Sequence, residues 1–358
     1  PEVPQGFLSY PLLLEKKSEE TGVVDMDDDE LAALNTHLSL YENARMQYET
    51  LPLPEGLLAV FVLPLCHSYG IASINLGLFR RGGKAVLLNS FNVEAIFSAI
   101  ERYRADTLAG VPTMYVFMLL FPEPKKYDVS SMKYWFSGSA PLALETFKRF
   151  KDVFGFEIIE GWGLTEAGAN NSVNPLEGTK KVGSIGLPMK GTEMRIVDNG
   201  GNPLPAHKEG EIVIRGPMLM KGYWNKPEET AEVLRGGWLY TGDVGYVDED
   251  GYFWITERKK DLIIKAGENI SPRTIEEVLF GHPKVSEAAV IGMKDELYGE
   301  DIKAFVVLKP GEEATAGEII EYCRKKLTNF FLPKEVVFLK ALPKSLVGKV
   351  LKKELRML

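Results

Sequence analysis

The stretch FEIIEGWGLTEAG, residues 156–168, holds the pattern from which the fold can be worked out. It starts as a short apolar run of strand length and then turns into a glycine-rich loop. DTLAGVP (106–112) and SMKYWFSGSAP (131–141) have the same form. Strand candidates that alternate with helix-like segments predict a largely parallel sheet with helical crossovers. The loops SGSAP and GWGLTE should then meet beyond the carboxyl ends of the strands, where such sheets bind ligands.

The same alternation extends back to about Leu57. LLAVFVLPL and KAVLL are strand candidates, and SYGIASINLGLFRRG between them is helix-like. A clearer helix follows Asn92, a suitable N-cap, because apolar residues recur at helical spacing at Val93, Ile96, Phe97 and Ile100. The N-terminal part of the chain is therefore predicted to be an α/β layer.

The pattern changes after about residue 182. EMRIVD, EIVIRG, WLYTGD and GYFWITE are short and are separated by glycine-rich turns, which predicts an antiparallel β subdomain over about 183–259. Beyond ERKKD, Ser271 and Pro272 open a helix, Thr315 and Glu318 form a capping box, and VSEAAVIGM, DIKAFVVL and KEVVFL are strand candidates. The predicted fold is α/β, with a large N-terminal domain over 1–259 and a small, mobile α/β C-terminal domain over 260–358.

Composition excludes several classes of function. The 358 residues carry 42 Lys and Arg against 50 Asp and Glu, and a net charge of −8 argues against nonspecific nucleic-acid binding. We find no apolar run long enough for a transmembrane segment. Cys66 and Cys323 match no zinc or redox spacing, so a cytoplasmic location is expected. The start, PEVPQGFLSY, has neither an initiator methionine nor a signal peptide, which predicts an incomplete N-terminus.

Several residues are candidates for nucleotide chemistry. Small residues in SGSAP and GWGLTE allow a backbone to approach a flat ligand, on which Trp162 could stack, while Glu166 could reach a hydrated magnesium ion. Taken alone, such loops are more often ordinary strand-to-helix turns. Asp243 could accept hydrogen bonds from a ribose diol or could be a turn aspartate. Arg258 could contact the same sugar or a phosphate, or could belong to a solvated basic run.

Two further residues are weaker candidates on their own. Lys349 follows Gly348 in a loop, from which its ammonium could neutralise charge during reaction at a phosphate. His67 follows a strand candidate, where a lone histidine is more often structural. No His/Cys/Asp cluster has metal-ligand spacing and no GxSxG motif is present, so hydrolase interpretations are weak.

The order of the motifs is more specific than any one of them. PLCHSYG, GVPT, FSGSAPL, GWGLTEAG, VGSIGLP, GEIVIRGPMLMKGYW, GWLYTGD, GYFWITERKKDLIIKAGENISP and LPKSLVGKVLKKELR together resemble the adenylate-forming superfamily, in particular acyl-CoA synthetases such as long-chain fatty-acid–CoA ligases. The resemblance runs from about Asp25 to the C-terminus. It implies an enzyme that converts a carboxylate and ATP to acyl-AMP and pyrophosphate, and then acyl-AMP and coenzyme A to acyl-CoA and AMP.

The resemblance also implies roles for individual residues. In the family, the loop matching Gly161–Glu166 holds ATP, so Trp162 is expected beside the adenine, Thr165 at the α-phosphate and Glu166 on magnesium. Lys349, Glu166, Thr165 and His67 are the expected catalytic residues. The remaining implied positions are nucleotide-binding loop residues Gly161, Gly163, Gly138, Ala140 and Pro141, the ribose ligand Asp243 with its basic partner Arg258, the hinge Lys260, and Gly267 near the thiol channel.

The implied substrates are a medium- or long-chain fatty acid, ATP and coenzyme A, with Mg²⁺ as cofactor. A homodimer and peripheral membrane contact are left open. Three alternatives also stay open: an aryl-CoA ligase or luciferase-like enzyme, another adenylating enzyme, and a non-catalytic nucleotide-binding relative.

The sequence departs from the family at one point. The signature phosphate loop, a Ser/Thr/Gly run ending in Pro-Lys-Gly, is absent before PLCHSYG, and the apparent gap lies near Asn35–Thr36. Either a mobile loop is missing from the stretch as it stands, which we favour because both flanks are intact up to a single point, or the protein lacks the loop. In the second case it should grip phosphate poorly.

Overall fold

The N-terminal part of the protein is built on a seven-stranded sheet. A computed structural model describes residues 32–344 and 350–358. In chain order, the elements of this part are β1 Ala33–Leu34, α1 His37–Thr50, β2 Leu58–Phe61, a π-helix Gly70–Leu78, β3 Lys84–Leu87, α2 Val93–Tyr103, β4 Thr107–Gly110, α3 Pro112–Leu120, a 3₁₀ turn Pro124–Lys126, β5 Tyr134–Ser137, α4 Leu144–Phe154, β6 Ile158–Trp162, a 3₁₀ turn Thr165–Ala167, β7 Ser172–Val173 and β8 Leu187–Pro188.

The strand order of this sheet is β3-β2-β4-β5-β6-β7-β8. The pairs from β3 to β6 are parallel, whereas β6, β7 and β8 pair antiparallel. The predicted parallel sheet with helical crossovers is confirmed, and the antiparallel β7–β8 edge is an addition. The carboxyl ends of β4, β5 and β6 therefore lie next to one another, as expected for the loops SGSAP and GWGLTE.

One predicted helix begins where expected, and another has a different helical form. Asn92 caps α2, and its side chain accepts a hydrogen bond from the Ala95 N–H at 2.8 Å. The segment predicted as a helix before β3 is instead a π-helix over Gly70–Leu78, where the Phe79 N–H bonds the Ile74 carbonyl five residues back. This wider helical form is uncommon and occurs often at functional sites.

An antiparallel sheet follows, as predicted. The elements are β9 Glu193–Val197, β10 Gly210–Arg215, β11 Gly222–Tyr223, α5 Pro227–Val233, β12 Leu234–Arg235, β13 Trp238–Val247, β14 Phe253–Arg258 and a 3₁₀ turn Lys259–Asp261. The strand path of the sheet is β12-β13-β10-β9, with β14 paired to β13, and a separate ribbon joins β1 to β11.

A second α/β layer forms the C-terminal part. The elements are β15 Ile263–Lys265, β16 Glu268–Ile270, α6 Pro272–Phe280, β17 Val285–Asp295, β18 Gly299–Leu308, α7 Ala316–Arg324, a 3₁₀ turn Asn329–Phe331, β19 Glu335–Phe338 and α8 Lys352–Leu355. The sheet has the path β16-β15-β18-β17, and β19 pairs parallel with β18. This layer buries its own apolar cluster, including Ile263, Val290, Ile302 and Ile319.

The predicted α/β class is confirmed, with a parallel sheet, an antiparallel β region and a C-terminal α/β layer. The capping residue Thr315 accepts from the Glu318 N–H at 3.2 Å, as expected. A boundary at residues 259 and 260, the mobility of the C-terminal part and a hinge at Lys260 stay predictions.

Candidate active site

Glycines allow the carboxyl ends of β4, β5 and β6 to approach one another closely. The Gly138 N–H donates to the Gly110 carbonyl at 3.3 Å. A Cβ atom on Gly138 would lie 3.2 Å from the Gly161 carbonyl oxygen, which is tighter than ordinary side-chain contact. Ser139, the next residue, has a left-handed backbone with φ of 69°. The two predicted loops therefore meet at one edge of the sheet.

The GWGLTE loop joins β6 to β7 and closes tightly at its base. The Asn171 N–H donates to the Trp162 carbonyl at 2.8 Å. A Cβ atom on Gly163 would lie 1.5 Å from the Ala169 carbonyl oxygen, so only glycine fits there. The loop is thus folded back on itself, and Thr165 and Glu166 occupy its 3₁₀ turn.

Thr165 and Glu166 are held by three residues that lie in or next to the paired strands β1 and β11. Asn35 donates from Nδ2 to the Thr165 carbonyl at 2.8 Å, and the Met220 N–H donates to the Glu166 carbonyl at 2.8 Å. The Tyr223 hydroxyl donates to Oε1 of Glu166 at 2.9 Å. Since β1 pairs with β11, one ribbon fixes both residues of the loop.

A buried carboxylate links the loop to the antiparallel sheet. The Trp162 Nε1–H donates to Oδ2 of Asp243 at 2.9 Å, and the Arg258 guanidinium contacts Oδ1 at 2.8 Å. Trp162 is 8% exposed and Asp243 is 2% exposed. The structure brings together three residues that the sequence predicted for nucleotide binding, although stacking on adenine and contact with ribose stay predictions.

His67 lies in the segment that joins β2 to the π-helix and lines the same cavity as Thr165. Its Nδ1 accepts a hydrogen bond from the Tyr69 N–H at 3.2 Å. Partial burial lowers the pKa of His67 below its usual value of 6.5. Desolvation therefore favours the neutral form of the imidazole.

One cavity of about 340 Å³ is lined by half of the predicted site residues. Its lining brings Thr165, Glu166 and Arg258 together with a set of apolar side chains. The predicted residues that line it are Gly138, Gly161, Gly163, Thr165, Glu166, His67 and Arg258. The apolar wall includes Leu51, Leu53, Leu57, Phe61, Ile74 and Leu78.

Other predicted residues lie elsewhere. Ala140 and Pro141 are exposed on the loop after Ser139. Lys260 is exposed in the 3₁₀ turn after β14, and its carbonyl accepts from Arg356 at 3.4 Å. Gly267 forms the turn between β15 and β16, with φ of +83° and open space around it. Lys349 lies outside the described residues.

Comparison with known proteins identifies the family. A sequence model described as "AMP-binding enzyme" matches residues 32–224, which is 193 of the 358 residues, and "AMP-binding enzyme C-terminal domain" matches residues 274–349. The chain belongs to the AMP-binding enzyme family. The resemblance read from the order of the motifs is thereby confirmed.

Individual relatives of this AMP-binding enzyme include several CoA ligases. The chain is 41% identical to a long-chain-fatty-acid–CoA ligase of Bacillus subtilis, over 89% of this chain and 58% of that protein. It is 38% identical to a feruloyl-CoA synthase of an Amycolatopsis species, over 90% of this chain and 66% of that protein. The structure of ATP-bound MatB from Rhodopseudomonas palustris superposes with a TM-score of 0.84 at 33% identity, over 91% of this chain and 64% of that one. The chain therefore spans less than two thirds of the length of these relatives.

The donor set of this AMP-binding enzyme fits a magnesium ion that arrives with a nucleotide. Within residues 32–344 and 350–358, no group of three or more His, Cys, Asp or Glu side chains could hold a metal ion by itself. Magnesium is commonly held by one or two carboxylates together with phosphate oxygens and water. Glu166 supplies one such carboxylate at the cavity, and Tyr223 hydrogen bonds its Oε1. No helix in these described segments is long and apolar enough to cross a bilayer.

The sequence did not single out three features of the site. Tyr223 lies in the motif GYW, which was quoted only as part of the resemblance. Gln47, Ser73 and Asn170 form a polar cluster in the cavity wall, although no local pattern marks them. Glu160 precedes the GWG motif and reads as an ordinary strand residue, yet its carboxylate is buried.

The buried Glu160 carboxylate accepts two backbone hydrogen bonds from other segments of the chain. Its Oε1 accepts from the Leu142 N–H at 3.3 Å, just after SGSAP, and its Oε2 accepts from the Gly183 N–H at 3.0 Å. Burial raises the pKa of Glu160 from 4.5 to about 7, although these two hydrogen bonds and Arg273 act in the opposite direction.

Glu160 should make stability depend on pH. The folded protein keeps this proton to a higher pH than the unfolded chain, so its stability should fall as pH rises from about 4.5 to about 7. The loss is on the order of 3 kcal/mol at most. In urea unfolding between pH 4.5 and 7.5, Glu160→Gln should flatten this fall. Glu157→Gln should leave this fall unchanged, because it removes a surface carboxylate whose pKa is lowered by Lys151. An unchanged slope in Glu160→Gln would show that the carboxyl does not titrate in this range.

Proposed function

We propose that this AMP-binding enzyme is an ATP-dependent acid–thiol ligase of the acyl-CoA synthetase type. The observation that carries the proposal is the shared cavity, in which the Thr165–Glu166 loop and an apolar pocket face the same space. A nucleotide bound beside Thr165 and Glu166 could then meet an acid whose carboxylate points toward these two residues. This arrangement suits attack of a carboxylate on the α-phosphorus of ATP.

The chemistry proceeds in two displacements. A carboxylate oxygen bonds to the α-phosphorus, and the bond from that phosphorus to the bridging oxygen breaks, which yields acyl-AMP and pyrophosphate. The thiol sulfur of coenzyme A then bonds to the acyl carbon, loses its proton and expels AMP. Magnesium, when bound, would screen the phosphate charge.

Residues of this chain would divide the work. Glu166, oriented by Tyr223, would hold magnesium, and Thr165 would contact the α-phosphate. Asp243 and Arg258 would hold the ribose and a neighbouring oxygen, after some rearrangement of the contact that now joins them. Lys349 would bridge the carboxylate and the α-phosphate. His67 would stand neutral beside the acyl group.

A fatty acid of medium or long chain is the proposed acid, because aliphatic side chains and Phe61 form an apolar part of the cavity lining. An aromatic acid is the second candidate, favoured by the likeness to a feruloyl-CoA synthase and by the polar cluster of Gln47, Ser73 and Asn170 in the cavity wall. Cytoplasmic location, the small domain's motion and the hinge at Lys260 belong to the same proposal.

An assay of the full chain with a panel of acids tests the proposal. Fatty acids of increasing length and cinnamic-type acids would be incubated with ATP, magnesium and hydroxylamine, which traps acyl-adenylate as a hydroxamate. We expect AMP and hydroxamate to form with at least one of these acids, and coenzyme A to divert the product to a thioester. If ATP supports no reaction while supplied acyl-AMP and coenzyme A give thioester, phosphate grip has been lost. If neither half-reaction occurs with any acid, the ligase assignment is wrong.

A further inference from the structure

Three neutral polar side chains from separate elements meet on the wall of the cavity. Gln47 comes from α1, Ser73 from the π-helix and Asn170 from the loop after Glu166. The Ser73 hydroxyl donates to Oε1 of Gln47 at 2.8 Å. Asn170 donates from Nδ2 to the same oxygen at 3.0 Å and to Ser73 Oγ at 2.9 Å. These residues are called the polar cluster below.

The polar cluster is anchored from behind by a fourth residue. Asn43 is fully buried, and its Nδ2 donates to the Ala167 and Asn170 carbonyls at 3.0 and 2.7 Å. Its Oδ1 accepts from Nε2 of Gln47 at 2.8 Å. The cluster is therefore held in a fixed arrangement, and one side of it faces the cavity.

The cluster retains unused hydrogen-bonding capacity. Both hydrogens of Asn170 Nδ2 are donated, and one hydrogen of Gln47 Nε2 goes to Asn43. Within the part of the chain that the structure describes, Asn170 Oδ1 and the second Gln47 hydrogen have no hydrogen-bond partner. Asn170 Oδ1 is not among the buried side-chain atoms that lack a partner, so this oxygen is accessible from outside the protein interior. One acceptor and one donor therefore remain for whatever fills the cavity.

A plain alkyl chain would fit this wall badly. It would exclude water from the polar cluster and leave a donor and an acceptor unsatisfied, which is unfavourable for each group. A hydroxyl on the bound acid can both donate and accept, so it could satisfy both. Sites that hydrogen bond a substrate hydroxyl discriminate strongly against the analogue that lacks it.

The charges of the cavity wall limit which second group the acid can carry. The polar cluster has no ionised member, and the nearby cation of the cavity wall is already engaged. The Arg81 guanidinium donates to the carbonyls of Leu53, Tyr48 and Leu51 at 2.7 Å each. It also lies 4.0 Å from the centre of the Tyr48 ring. Within the described part of the chain, a second carboxylate on the substrate would meet no unengaged cation beside the polar cluster.

We infer that the polar cluster determines specificity by binding a neutral hydroxyl on the body of the acid. The inference rests on the proposed function and deepens it, because it narrows the proposed fatty or aromatic acid to one that carries a hydroxyl on its body. Gln47 and Asn170 are the specificity-determining residues, and Ser73 positions both.

Matched pairs of acids test this inference on the full chain. Each pair has one hydroxylated acid and its deoxy analogue, one pair aromatic and one aliphatic, and kcat/KM is measured by AMP release. We expect a hydroxyl preference of at least about tenfold in one pair, which corresponds to about 1.4 kcal/mol. The side chain introduced by Gln47→Met has a similar length. This change should bring the ratio of kcat/KM for the hydroxylated acid to that for its deoxy analogue toward one, by raising KM for the hydroxylated acid. Ser73→Ala should move it in the same direction.

Controls separate specificity from loss of structure. Tyr41→Phe changes an exposed residue of the same helix outside the cavity and should leave the ratio unchanged. Thermal unfolding of each variant shows whether it folds, and the deoxy acid gives a second readout, since its turnover should hold or rise in Gln47→Met. The inference is overturned if deoxy acids are preferred in both pairs, or if neither variant moves the ratio. Absence of AMP release with every acid would instead count against the proposed function.

Discussion

Gly163→Ala should destabilise the protein by more than about 2 kcal/mol and weaken nucleotide binding at the same time. The added methyl would lie 1.5 Å from the Ala169 carbonyl oxygen and 2.4 Å from the carbonyl carbon. Both are backbone atoms, so no side chain can swing away to relieve the contact. The base of the loop that presents Thr165 and Glu166 would have to open. Urea unfolding and titration with AMP or an ATP analogue would measure the two effects.

Gly317→Ala is the matched control for this change. In α7 the nearest atom to its added methyl is Oγ1 of Thr315 at 3.9 Å, so alanine fits without a clash. Alanine also favours a helix over glycine by up to about 1 kcal/mol, so stability should hold or rise. If Gly163→Ala matched the wild type in both unfolding and nucleotide affinity, the tight closure of this loop would be refuted.

Lys349→Ala should reduce acyl-adenylate formation by roughly 10²–10³-fold or more, the range seen when one group that stabilises transition-state charge is removed. A carboxylate and a triphosphate are both anions, so their reaction requires a cation between them. Thioester formation from supplied acyl-AMP does not require that cation and should persist. Pyrophosphate exchange would report the first half-reaction, and thiol consumption with acyl-AMP the second.

Lys353→Ala provides the comparison, because Lys353 is an exposed lysine four residues further along the same segment. It should change neither half-reaction. Equal losses in both half-reactions for Lys349→Ala would argue that the lysine supports the fold or coenzyme A binding. An unchanged first half-reaction would remove Lys349 from adenylation altogether.

The order of elements could be predicted because it depends on local signals. Apolar runs of strand length alternate with helix-period segments, and Asn92 marks a helix start through a side chain that reaches only three residues. Periodicity could not distinguish the π-helix at Gly70–Leu78 from an α-helix, since both present apolar residues at similar spacing. It also overestimated the strand in LLAVFVLPL, of which only Leu58–Phe61 pairs in the sheet.

The candidate site was found from motifs, but its contacts were not. Trp162 and Asp243 are 81 residues apart, and Glu166 and Tyr223 are 57 apart, yet each pair shares a hydrogen bond. The sequence marked Trp162, Asp243 and Glu166 as candidates for one nucleotide. It carried no signal that Tyr223 would hold Glu166 or that Glu160 would be buried, because burial depends on all the elements packed around a residue.

The sequence by itself indicated the family through the resemblance that the order of its motifs carries. It also determined the α/β class, the antiparallel region and the glycines that the loops require, since these follow from residue type and spacing along the chain. Only the tertiary structure decided that Gln47 and Asn170, 123 residues apart, share a hydrogen bond on the wall of one cavity. The physical reason is that such contacts arise where distant segments cross. Which distant segments come into contact depends on the order of the strands in the sheet, and a local sequence pattern does not specify that order.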